Sequence, residues 1–92
     1  MIIRIAEEGQ YEVPGSLLDE LNIIDNRIVD LVAKEKEEEY TTELSKLIGM
    51  IRSNGKKLDD SELKESDIIV PPDDLTLKEA REIFTGDGLI ED

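Results

Sequence analysis

The apolar positions change period along the chain. Ile3 and Ile5 alternate with Arg4, and Tyr11 and Val13 alternate with Glu12. A period of two predicts half-buried strands, so the first thirteen residues read as a hairpin. Its turn falls at Glu7-Glu8-Gly9, where Gly9 tolerates positive φ. Pro14 cannot donate to a ladder and closes the second strand. From there the spacing becomes three and four. Leu17, Leu18, Leu21, Ile24, Ile28, Leu31 and Val32 predict an amphipathic helix from Ser16 to Lys34, with Ser16 as its cap. Asp25, Arg27 and Asp30 fall off that stripe.

Glu35-Lys36-Glu37-Glu38-Glu39 interrupts the pattern as a helix–helix turn or an exposed first helical turn. Tyr40, Leu44, Leu47, Ile48 and Ile51 then predict a second helix from Glu38 to Ser53, stopped by Asn54-Gly55. The short join favours an antiparallel helical hairpin. Lys56 to Asp67 reads as an ordered loop anchored by Leu58 and Leu63. Ile68-Ile69-Val70 before Pro71-Pro72 reads as a short strand added to the hairpin edge. Thr76 and Glu79 form a capping box, opening a helix with Leu77, Ala80, Ile83 and Phe84 inward. Gly86 and Gly88 end it, and Leu89 and Ile90 pin the tail. The expected fold is α+β: a two- or three-stranded sheet packed on a helical hairpin, with a short C-terminal helix.

Composition narrows the chemistry. The 92 residues suit one domain with a small core, here expected over residues 1–92. Eleven basic residues against 24 acidic ones leave a net charge of -13, which disfavours nucleic acid and anionic lipid as direct partners. A basic partner, or an apolar face on a neutral one, is favoured instead. The acids also keep a protein soluble, and they are spread along the whole chain. Met1-Ile2-Ile3-Arg4-Ile5 resembles a strand and not a secretory signal, and no apolar run reaches the roughly 20 residues of a membrane span. A cytoplasmic location is expected, consistent with the absence of cysteine.

The chain contains no His and no Cys, so triads, thiol chemistry and the usual zinc sites are excluded. No serine lies in a nucleophile-elbow motif, and Gly86-Asp87-Gly88 is too short to cradle phosphate. Asp59 with Asp60 and Asp73 with Asp74 are the carboxylate pairs, read chiefly as solvated turn acids. Their spacing does not match a calcium loop, and no cofactor or metal is expected.

The ordered segments resemble the phage-shock-protein-A-associated family, PspAA. Met1-Ile2-Ile3-Arg4-Ile5 followed by Glu8-Gly9-Gln10-Tyr11-Glu12-Val13-Pro14 resembles its opening, and Leu21-Asn22 with Asp25-Asn26 its first helix. Asn54-Gly55 with Leu58-Asp59-Asp60-Ser61-Glu62-Leu63 resembles its central loop. Ser66 to Pro72, then Asp74-Leu75-Thr76-Leu77 with Glu79-Ala80-Arg81, resemble its C-terminal part, completed by Phe84, Thr85, Gly86, Gly88, Leu89 and Ile90. The resemblance implies a partner of phage-shock protein A, a coiled-coil membrane-remodelling protein of the envelope-stress response. It implies no catalytic residues and a place at the inner membrane face reached only through the partner. The expected role is a non-enzymatic interaction module using Gly9, Gln10, Tyr11, Pro14, Leu58, Asp59, Asp60, Pro71 and Pro72. A self-associating homo-oligomer through Ile68–Val70 or the hairpin edge is the alternative.

Overall fold

The computed structural model of the chain describes residues 1–59, 61 and 64–84. Strands β1 (Ile2–Ile5) and β2 (Gly9–Glu12) form the antiparallel hairpin, pairing Ile3 with Tyr11 and Ile5 with Gly9. The turn uses positive φ at Glu7 (69°) as well as at Gly9 (138°). Helices α1 (Leu18–Ala33) and α2 (Glu37–Asn54) follow, then β3 (Lys56–Lys57), β4 (Ile68–Val70) and α3 (Leu77–Ile83). The sheet order is β3-β2-β1-β4, with β4 parallel to β1 and β3 antiparallel to β2. The fold is α+β, as the pattern predicts, but the sheet has four strands. Lys56 and Lys57 carry no alternating apolar signal, and their pairing comes only from lying beside β2.

One sheet face makes the core. Ile3, Ile5, Tyr11, Ile68 and Val70 are buried on it, under Leu21, Ile24, Ile28 and Val32 of α1 and Leu44, Leu47, Ile48 and Ile51 of α2. The predicted Ser16 cap does not form. Ser16 sits inside a 3₁₀ turn at Gly15–Leu17, where the Leu17 N–H reaches the Pro14 carbonyl at 3.0 Å, and α1 starts without a side-chain cap. The helix therefore begins later, leaving Leu17 half-buried and Leu18 exposed. Asp25, read as off the stripe, is fully buried beside Leu21, Leu47, Ile51, Ile68 and Val70.

The charge block divides between two roles. Glu35, at φ 59°, stands just past the end of α1. The Lys36 N–H bonds the Leu31 carbonyl at 2.9 Å and the Glu35 N–H bonds that of Val32 at 3.1 Å, a Schellman ending with glutamate in the usual glycine place. Glu37, Glu38 and Glu39 fill the first turn of α2, where they face the positive end of its dipole. The Thr76–Glu79 capping box is present in both directions. Ala80 and Phe84 point inward as expected and Leu77 is half-buried against the core, whereas Ile83 is 40% exposed. The Phe84 ring meets Tyr40 edge-on at 6.5 Å, and the Tyr40 hydroxyl donates to the Leu75 carbonyl at 2.8 Å. Arg81 pairs with Glu35, tying α3 to the interhelical turn. The expected roles of Leu63, Gly86, Gly88, Leu89 and Ile90 fall outside the described residues.

Since β3 and β4 lie on opposite edges, the segment between them must cross the sheet. Its described residues 64–66 lie on the face away from the helices. The Gln10 side chain points to that face, opposite in parity to Tyr11, and donates to the Lys64 carbonyl at 2.6 Å and to Ser66 Oγ at 2.7 Å. Leu58, buried but outside the main core, donates its N–H to the Gln10 carbonyl at 2.9 Å. Asp67 closes the crossing by accepting from the Ile2 N–H at 2.7 Å.

Two outcomes follow from this packing. A Cβ built on Gly55 would stand 2.6 Å from the Ile51 carbonyl oxygen and 3.1 Å from Val13. Backbone cannot yield there, so Gly55→Ala is expected to cost about 1–3 kcal/mol in urea unfolding. Gln10→Ala removes the polar clamp from the crossing segment. Limited proteolysis should then cleave between Leu58 and Asp67 faster than in the parent, while far-ultraviolet circular dichroism stays unchanged.

Candidate protein-binding surfaces

The nine residues expected to bind a partner do not form one patch. Gly9 serves the hairpin turn and Gln10 holds the crossing segment. Tyr11 is buried, and its hydroxyl donates to Glu8 Oε2 at 2.6 Å. Leu58 and Pro71 are buried and Pro72 is half-buried. Pro14 is exposed, at the end of β2 opposite the turn. Asp59 is exposed and accepts from the N–H and hydroxyl of Ser61, each at 3.0 Å, which holds its carboxyl below the usual range. Asp60 lies outside the described residues. The fold does bring Gln10 together with Leu58, and it brings Pro72 to the turn of the hairpin, because β4 runs parallel to β1 and ends where β1 ends.

At that turn end a cleft of about 180 Å³ opens between Ile5, Ala6, Glu7, Glu8, Arg52, Pro72, Asp73 and Asp74. Its centre is an ion pair from α2 to the turn. Arg52 Nε lies 3.1 and 3.0 Å from the two Glu8 oxygens, and Nη2 also reaches Oε1. Hydrogen bonds from Arg52 and then Tyr11 hold the Glu8 carboxyl at about 2, against 4.5 for the free side chain. The same pair raises Arg52, and the Glu8 contact raises the Tyr11 hydroxyl. The knot joins the turn, the second strand and the second helix, so it pins the hairpin to the helical layer.

A larger groove, about 500 Å³, runs between α1 and α2 near their connecting turn. Arg27, Asp30 and Leu31 line it from α1, and Glu38, Glu39, Thr42 and Glu43 line it from α2. Four carboxylates thus face one guanidinium across a concave wall. Asp30 shares an exposed pair with Lys34 at 3.1 Å. The Thr42 hydroxyl is spent on the Glu38 carbonyl at 3.0 Å. Glu43 Oε2 is shielded from solvent and makes no hydrogen bond among the described residues. Along the chain, Asp30 and Glu43 sit thirteen positions apart and give no signal of meeting. The helical hairpin alone assembles this wall, which sequence spacing did not reveal. The legible part of the signal was the charge block, two of whose glutamates enter the groove.

Among the described residues no three carboxylates converge as metal ligands, and no helix is long and apolar enough to cross a membrane. A family model described as "PspA-Associated protein" (PspAA) matches residues 1–92. No curated protein and no solved structure matches.

Lowering pH should test the Glu8 knot. Because Glu8 is depressed in the fold, its stabilising contribution is whole above pH 4.5 and is lost as pH falls through about 2. Glu8→Gln is expected to melt below the parent at neutral pH. The gap between the two melting temperatures should narrow below pH 4.5 and close near pH 2. A gap that persists unchanged at the acid end would show that the charge is not what holds the turn.

Proposed function

This chain belongs to the PspA-associated family, and we propose that it acts there as a non-enzymatic protein-interaction module, an accessory or regulatory partner of PspA in the envelope-stress response. The family's description supplies the partner, and the residue inventory supplies the lack of chemistry. Without imidazole or thiol, catalysis would fall to aspartate pairs, and the structure gives Asp59 a local turn role in capping Ser61. Residues 1–92 act as one domain in this reading, in the cytoplasm, meeting the inner membrane face through the partner.

The observation that carries the reading is the carboxylate-lined groove between α1 and α2. A net charge of -13 draws a cationic partner from a distance, and the groove offers that charge on a concave surface fixed by two packed helices. The partner element it fits is a helix of a PspA-like coiled coil carrying Lys and Arg on one face. Leu31 meets the aliphatic stems of those side chains, while Asp30, Glu38, Glu39 and Glu43 meet their charged ends. Of the residues singled out by family resemblance, Gln10, Tyr11, Leu58 and Pro71 are engaged within the fold, so they shape the domain more than they greet a partner.

Titration calorimetry against purified PspA tests this at two salt concentrations. Asp30→Asn combined with Glu39→Gln and Glu43→Gln is expected to weaken binding at least tenfold, about 1.4 kcal/mol, and to flatten its salt dependence. The control variant Asp73→Asn with Asp74→Asn removes charge at the turn cleft and should bind nearly as the parent does. Equal loss in both variants would assign the effect to overall charge. Binding indifferent to salt would remove the electrostatic basis of the proposal.

One observation favours self-association as a second reading. Among the described residues β4 is an edge strand, and Ile69 is 61% exposed on it. The strand has only three residues and is followed by Pro71-Pro72, features that limit pairing at an edge. Light scattering of the isolated chain should return a monomer mass across the micromolar range. A dimer that Ile69→Lys abolishes would establish the edge reading instead.

A further inference from the structure

We draw no further inference here: the strongest candidate, the cleft at the turn end of the hairpin between Glu7, Glu8, Arg52 and Pro72–Asp74, is an acidic cluster whose arginine is already paired with Glu8, and nothing among the described residues points to a ligand for it.

Discussion

A short sheet exposes one apolar face, and everything else in this chain is arranged to take that face out of water. Ile3, Ile5, Tyr11, Ile68 and Val70 form a surface that two strands or three could not keep dry alone. The hydrophobic effect therefore demands a lid, and α1 and α2 are that lid. Their stripes supply most of the remaining core, so sheet and helical hairpin depend on each other for order. Tyr40 extends the same core toward α3 through Phe84 and Leu75.

The opposite face of the sheet is handled by polar means. There Leu58, Lys64, Ser66 and Asp67 are fixed by the Leu58 N–H, the Gln10 amide and the Asp67 carboxylate. Hydrogen bonds act there beside the burial of Leu58. The two faces thus divide the labour: one excludes water, while the other fixes the path of the chain. Gln10 and Tyr11 of β2 serve these internal purposes.

With the core small and the charge so unbalanced, the helices carry a second duty. Their inward stripes hold the sheet, and their outward flanks collect carboxylates. Repulsion among these groups works against compactness, and the apolar core must exceed it. The first-turn glutamates of α2 reduce that cost by facing a helix dipole. A cationic partner of the kind proposed above would reduce it further.

Periodicity by itself determined the hairpin, the two long helices, the capping box and the α+β class, because each rests on local spacing or a local hydrogen bond. Composition by itself removed imidazole and thiol chemistry. Tertiary structure decided the rest. Lys56-Lys57 became a strand only because β2 lay beside it, and Ser16 lost its capping place to a 3₁₀ turn set by Pro14 and Gly15. Asp25 went into the core and Ile83 stayed out, against their chemistry, because the position of a helix on its neighbours fixes which side chains are covered. The carboxylate groove belongs to the same class. Charges distant along the chain acquire a common surface only when packing brings two helices together, and no local pattern records that distance.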